Sequence, residues 1–380
     1  MKVLFVSYTS LLQKQYQKRV VELSEYLDDV RVLTPEYWIE HWKKEKVYLE
    51  GKLLGDKHIT GKPYFTGNLH FAFFSGILKK VIKDFKPDLI DLEDEPFNFG
   101  SYQILRAAKY SNKPTKVVLH ASQNIFRPYP PPFNFIERKS LKKADLILAR
   151  TQTARDVLEK KGRDWGVPIL PHGIDTTYFK PSDSIVKRDL PALKGADLVI
   201  GYVGALTEQK GLNYLIDAFS RIKTSEKLKM LIVGDGPVRE KLEEQVREKN
   251  LNDKVVFTGA VNHSELTGYY NSMDVFVLPS ITLGGQSERF GRVLLEAMSC
   301  GVPVIAADSG EIASVVSDAG LLVKEADSED LREKLERLIE DSSLREEYAL
   351  RGREHVDANY SWKKLAEKTY ALYQKITSYD

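Results

Sequence analysis

Short apolar runs rich in β-branched residues recur along the whole chain, and the stretches between them carry the three-to-four residue apolar spacing of helices. This alternation constrains the fold more than any other feature, because parallel strands need crossovers long enough to hold a helix. In the first half the strand-like runs are 2–8, 30–33, 88–92, 116–121, 145–149 and 168–170, with helix-like stretches at 15–27, 71–85 and 99–110. In the second half they are 198–203, 230–233, 255–258, 275–278, 304–306 and 321–323, with helices expected at 212–222 and 238–248. The halves thus look like two copies of one α/β architecture that share no sequence. A chain of 380 residues suits two such domains. The junction is expected between 178 and 193, where Pro181, Ser182, Asp183 and Pro191 cluster.

Composition excludes several function classes. A net charge of +2 argues against a nucleic-acid partner. The single cysteine, Cys300, rules out an internal disulfide framework. It follows an apolar helical run, so a buried structural thiol is expected rather than a nucleophile. No run of eighteen apolar residues occurs, and the first residues are too short an apolar core for a signal peptide, so a cytoplasmic location is expected. The region 34–68 holds Trp38, Trp42, Tyr48 and Phe65 without a clear period and reads as an irregular insertion or lid. The stretch 71–85 combines Phe73, Phe74, Ile77, Leu78, Val81 and Ile82 with Lys79, Lys80 and Lys83. Such a stripe either faces a core or lies on a membrane surface, the inner face being the candidate.

The chemistry concentrates in Glu288-Arg289-Phe290-Gly291-Arg292-Val293-Leu294-Leu295-Glu296. A helix starting near Gly291 leaves the amides around Arg292 to Leu294 without intrahelical partners. Those amides and the positive helix end favour an anion such as a diphosphate. Glu288 precedes the helix and Glu296 lies inside it, so a carboxylate flanks the anion on each side. Carboxylates accept from sugar hydroxyls and a ribose diol, which together describe a nucleotide-sugar donor.

The run 287–307, SERFGRVLLEAMSCGVPVIAA, resembles the Glu-x7-Glu signature of retaining glycosyltransferases with two Rossmann-like domains, the GT-B fold of family 4 and the glycosyl transferases group 1. The resemblance implies an α/β chain with two Rossmann-like domains facing across a cleft. The first, 1–178, would take the acceptor and the second, 179–360, the donor, with 361–380 crossing back as a helix onto the first. It implies transfer of a sugar from a nucleotide diphosphate to a carbohydrate or lipid-linked acceptor hydroxyl, with no metal and no cofactor besides that co-substrate. Glu288, His120 and Lys210 are the implied catalytic residues. Gly204, Lys210, Val261, Glu288, Phe290, Gly291, Arg292, Val293 and Glu296 are the implied donor contacts, and Glu95 and Asn124 the acceptor contacts.

Individual elements carry both a functional and a plainer reading. Gly201 to Gly211 resembles the family's Gly-Arg-Leu…Lys-Gly element, but Ala205 stands where an arginine is usual. Arg289 or Arg292 is the candidate replacement. The plainer reading of this run is a glycine turn with a solvated lysine. Gly234-Asp235-Gly236 fits a tight turn, and Thr258 to Val261 resembles the segment whose backbone meets the base. Ser309-Gly310-Glu311 would line the same crevice or simply cap a helix. His120 follows a strand, where the resemblance implies a bond to a sugar hydroxyl. The acidic run Asp91 to Glu95 imitates a metal-binding strand end, and Glu95 is taken as the acceptor contact. His172-Gly173-Ile174-Asp175 resembles the family's Asn-Gly-Val-Asp turn, with a structural role expected for His172. No glycine pair follows the first strand, which argues against a dinucleotide-binding loop. Two further readings stay open: an epimerase acting on the sugar nucleotide, and a non-catalytic nucleotide-binding partner.

Overall fold

The computed structural model describes residues 1–12, 14–39, 45–49, 53–163, 166–182 and 190–378; Trp42 of the expected lid and Asp183 of the expected junction lie outside them. The chain divides into two compact units, Met1–Gly173 with Trp362–Asp380, and Ile174–Ser361. The division therefore falls before residue 178, because Ile174 and Phe179 are already buried in the core of the second unit.

The first unit is built on β1 (Lys2–Ser7), β2 (Asp29–Pro35), β3 (His58–Gly61), β4 (Leu89–Glu93), β5 (Lys116–Ala121) and β6 (Leu146–Ala149). Their spatial order is β6-β5-β4-β1-β2-β3, all parallel. Successive β1 side chains go to opposite faces. Leu4 and Val6 join one core cluster, while Val3 and Phe5 join the other. Helix Ile77–Phe85 covers the first face with Leu78, Val81, Ile82 and Phe85, the spacing of a single apolar stripe. That stripe is spent on the core and is not available to a membrane. The expected helix over 71–85 is also shorter, since Phe73–Phe74 pairs antiparallel with Pro63–Tyr64.

The reading of 34–68 as irregular requires correction. It contains β3, the edge strand, whose Thr60 pairs with Thr34, and a short antiparallel pair of Tyr37–Ile39 with Lys46–Tyr48. The residues of β3, His-Ile-Thr-Gly, include one aliphatic side chain, so no apolar pattern announces them. The expected strand at 168–170 reduces to one bridge between Ala149 and Ile169, where Pro168 has no amide to donate.

The second face of this sheet is covered by helix Lys14–Ser24 and by helix Trp362–Thr377, which contributes Trp362, Leu365, Ala366 and Tyr373 to the same core cluster.

The second unit comprises β7 (Leu198–Val203), β8 (Leu228–Val233), β9 (Val255–Gly259), β10 (Val275–Leu278), β11 (Val304–Ala307) and β12 (Leu321–Val323). The order β9-β8-β7-β10-β11-β12 repeats that of the first unit, and every neighbour is parallel. In each unit the order reverses once, between β1 and β4 and between β7 and β10. Open parallel sheets bind ligands beyond the carboxyl ends of the strands at such a reversal. Cys300 is buried in the second core, as its apolar surroundings required. No helix among the described residues is long and apolar enough to cross a membrane.

Candidate donor and acceptor sites

At the reversal in the second unit, β7 leads into Gly204 and on to Lys210, while β10 leads into Pro279, Ser280 and the loop reaching Glu288. Gly204 is half-buried, and its amide donates to the Val233 carbonyl, which ties the end of β7 to that of β8. The two loops are laced together. The Ile281 amide donates to the Gln209 carbonyl (2.8 Å), and Gln209 Nε2 donates to the Gln286 carbonyl (3.1 Å). Gly211 makes this approach possible. Its φ is 64°, and a Cβ there would lie 2.0 Å from the Pro279 carbonyl oxygen. On the other side Glu325 accepts from the Thr282 amide (2.8 Å) and hydroxyl (2.7 Å).

This lacing brings Lys210 Nζ to Glu288 Oε2 at 2.5 Å. Ser280 Oγ donates to the same oxygen at 3.1 Å. Burial pushes the Glu288 carboxyl up, but Lys210, Ser280 and the Gly291 amide together hold it below the ordinary carboxylate range. The backbone of Glu288 is fixed from beneath by the turn at Ser309-Gly310-Glu311. The Glu311 amide donates to the Glu288 carbonyl (3.1 Å), and a Cβ on Gly310, whose φ is 59°, would lie 2.1 Å from that carbonyl oxygen.

Gly291 caps the following helix, Arg292–Ser299, with φ 70°. One expected free amide is already used, since Leu294 N donates to the Gly291 carbonyl (2.9 Å). The first-turn amides of Arg292 and Val293 have no carbonyl a turn earlier in their own helix. Phe290 is half-buried and meets Tyr360 edge-on at 6.1 Å. Arg289 is exposed, as is Ala205.

Glu296, the expected ribose contact, has internal partners. It is 4% exposed, Oε2 accepts from the Tyr270 hydroxyl (2.7 Å), and Oε1 faces Arg292 Nε (3.3 Å). Burial raises its pKa, opposed by Arg292 and Tyr270. Arg292 is thus already engaged within its own helix and stands as a partner of Glu296. Val261, half-buried after β9, packs against the same core.

In the first unit the acidic strand end divides into distinct roles. Asp91 is buried and accepts from Arg19 (2.5 Å), from the Tyr373 hydroxyl and from His120 Nε2 (2.9 Å). Burial opposes ionisation, yet Arg19 and His120 hold Asp91 well below the usual range. Glu93 pairs with Arg150 at 2.8 Å and lies 3.7 Å from Arg19. These are arginine-paired carboxylates, and among the described residues no group of His, Cys, Asp and Glu is arranged to hold a metal.

His120 is 3% exposed, and burial lowers its pKa to about 4, so it is neutral. Its Nε2 is committed to Asp91 and lies 3.1 Å from Arg19, and its Nδ1 is buried without a partner. His120, expected to meet a sugar hydroxyl, thus has one ring nitrogen engaged within the unit and the other without a bond. Glu95 accepts from the Ser122 amide (2.7 Å), which ties it to the loop bearing the half-buried Asn124. Burial pushes Glu95 up to about 7 and Asp94 up to about 8. Asp94 Oδ1 accepts from Asn98 (2.5 Å) and from the Glu95 amide, while its Oδ2 is buried without a partner. His172 lies against Tyr16 with ring centroids 5.6 Å apart, in keeping with a structural role.

Ser280, Gln209, Tyr270 and Arg19 escaped the sequence analysis. Only Ser280 gave a signal, as a small polar residue just beyond a strand; the others act through contacts with residues far along the chain.

Two family models match the chain in succession: Glycosyltransferase Family 4 over residues 18–178, and Glycosyl transferases group 1 over residues 186–355. An uncharacterized glycosyltransferase of Methanocaldococcus jannaschii is 34% identical over 214 residues, 55% of this chain and 54% of that protein. The sulfoquinovosyl transferase SQD2 of Arabidopsis thaliana is 27% identical over 379 residues, 95% of this chain and 70% of that one. The chain spans roughly half to two thirds of the length of the first of its curated relatives. Among solved structures, Anabaena HepE in complex with UDP superposes with a TM-score of 0.71 at 20% identity, covering 99% of this chain and 100% of that one, a likeness of fold.

Proposed function

The chain belongs to the glycosyl transferases described by these two models, and from that premise we propose that it moves a sugar from a nucleotide-diphosphate sugar to an acceptor hydroxyl with retention of anomeric configuration. One observation carries the reading: the Lys210–Glu288 pair beside the start of helix Arg292–Ser299, at the strand-order reversal of the second unit. An ammonium and helix amides on one side suit a diphosphate, and a carboxylate held ionised on the other suits sugar hydroxyls. The complex of the Anabaena neighbour with UDP supports a donor of this class.

On this reading the donor exchanges partners within the pair. Its diphosphate takes Lys210, and the released Glu288 accepts from the donor sugar. Backbone of Phe290 and Gly291 lines the sugar, and Arg292 and Val293 amides meet the phosphates. Val261 and its neighbours meet the base through the main chain. Glu296 reaches the ribose by giving up one of its internal partners, Tyr270 or Arg292. The bond between the anomeric carbon and the leaving phosphate oxygen breaks as the acceptor oxygen bonds the same face. The acceptor proton passes to the leaving diphosphate. Lys210 and the helix amides stabilise the charge that grows there, so that no metal is required. In the first unit Glu95 and Asn124 hold the acceptor. His120 orients Asp91 and Arg19 rather than touching sugar.

Calorimetric titration of UDP, GDP and ADP into wild type and Lys210→Met tests the donor half. One nucleotide should bind, and the variant should lose about tenfold or more, the scale of one charge-assisted hydrogen bond. Turnover of the matching sugar nucleotide, with the product anomer assigned by NMR and with chelator present, tests the rest. An inverted product, or turnover abolished by the chelator, would sink the corresponding part.

A further inference from the structure

Seven of the eleven large apolar side chains exposed among the described residues lie between Tyr64 and Phe135, in the first unit. Phe65 is 63% exposed, Phe126 56% and Phe135 52%. They are not scattered. Phe65 lies 6.3 Å from Phe71, and Phe71 meets Phe133 edge-on at 5.1 Å, which joins the 64–73 hairpin to the start of helix Phe133–Lys143. Lys161 lies over both Phe126 (5.9 Å) and Tyr129 (4.4 Å), and Tyr129 stacks on Phe97 (4.1 Å), which meets His70 beside Phe133, so Phe126 stands at the margin of the same group. Apolar area gathered in this way marks an interaction surface.

Along the segment that carries Phe126, Phe133 and Phe135, the exposed charge has one sign. Between Gln123 and Lys143 the exposed charged residues are Arg127, Arg138, Lys139, Lys142 and Lys143. The only acid in that stretch is Glu137, half-buried and committed to Lys161 at 2.7 Å. This segment therefore carries +5 from its cations and −1 from Glu137, in a chain whose whole net charge is +2. The loop that bears Phe126 is stiffened by Pro128, Pro130, Pro131 and Pro132, so its tip loses little freedom on docking.

We propose that this face of the first unit docks on an anionic lipid bilayer. Aromatic rings bury into the boundary between headgroups and acyl chains, and long basic side chains reach the phosphates around them. Lysines make up three of the five cations, and lysine is depleted at protein–protein interfaces while it is favoured at lipid surfaces. The surface is distinct from helix Ile77–Phe85, whose apolar stripe is buried.

Flotation of the full chain with vesicles tests this without any sugar nucleotide, so the outcome is independent of the donor site. Wild type should float with phosphatidylcholine–phosphatidylglycerol vesicles at low salt, and far less with phosphatidylcholine alone. Lys139→Ser, Lys142→Ser and Lys143→Ser combined should lower partitioning roughly hundredfold, at about fivefold per cation. Phe65→Ser with Phe126→Ser should lower it about tenfold or more and leave residual binding as salt-sensitive as before. All substituted side chains are exposed, and unchanged melting temperatures would verify the fold. Wild type that stays in solution with anionic vesicles, or variants that float as wild type does, would overturn the assignment and leave the face to a protein partner.

Discussion

Replacing Lys210 by methionine keeps the unbranched stem out to the ε position and removes the ammonium from which Glu288 accepts. The two side chains are 24% and 14% exposed. Breaking a fully buried pair costs about 3–5 kcal/mol and an exposed one about 0–1 kcal/mol, so this pair belongs near 1–2 kcal/mol. Glu288 keeps Ser280 and the Gly291 amide, which argues for the lower half of that range. The sign with pH follows from linkage. The folded pKa of Glu288 lies below its unfolded value, so its stabilisation is complete above the unfolded pKa and disappears as pH falls through the folded one. Urea unfolding of wild type, Lys210→Met, Glu288→Gln and the double variant at neutral pH gives the coupling directly. It should be about 1–2 kcal/mol near pH 7 and shrink once pH drops below about 4. A coupling under about 0.3 kcal/mol, within the scatter of independent sites, would refute the pairing as an energetic contact and with it the partner exchange proposed for the donor.

Three further outcomes follow from the same geometry. Gly310→Ala places a Cβ 2.1 Å from the Glu288 carbonyl oxygen at φ 59°, and should cost about 2–4 kcal/mol of stability with loss of nucleotide affinity; unchanged calorimetric binding would count against the buttress. Tyr373→Phe removes a donor from buried Asp91 and should cost about 1–2 kcal/mol in urea unfolding, read in the first unit. Asp94→Asn removes a carboxyl whose folded pKa is raised to about 8, so deprotonation weakens the wild-type fold as pH rises from the unfolded value through the folded one. The variant should therefore gain about 1–3 kcal/mol on wild type at alkaline pH, a margin that fades toward pH 4. A pH-independent difference in melting would remove burial as the cause.

The sheet frame was legible in the sequence where strands are apolar throughout. Leu198–Val203 and Lys116–Ala121 match their expected bounds because buried parallel strands write continuous apolar runs. β3 was not legible, since an edge strand with one aliphatic side chain depends on its neighbour for definition. The Glu288 and Lys210 positions could be anticipated from motif and spacing. Their mutual pairing could not, because it depends on Gly211 letting one loop approach another across 78 residues of chain. For Glu296 the contacts, not the position, were out of reach. Its place in the helix was expected, but its burial against Tyr270 depends on a helix 26 residues upstream. His120 shows the same limit: its position near the end of a strand says nothing of Asp91 and Arg19 closing over the ring.

Helix Trp362–Thr377 completes the core of the first unit, yet it is translated only after all of Ile174–Ser361. The order in which the two units become complete in sequence is thereby inverted. The second unit is continuous in sequence and can reach its native packing while the first still lacks Trp362, Leu365 and Tyr373 and leaves Asp91 without one of its donors. During that interval the open face of the first sheet is a target for chaperones. A released chain ending at residue 361 should therefore resist protease in its second unit and yield in its first.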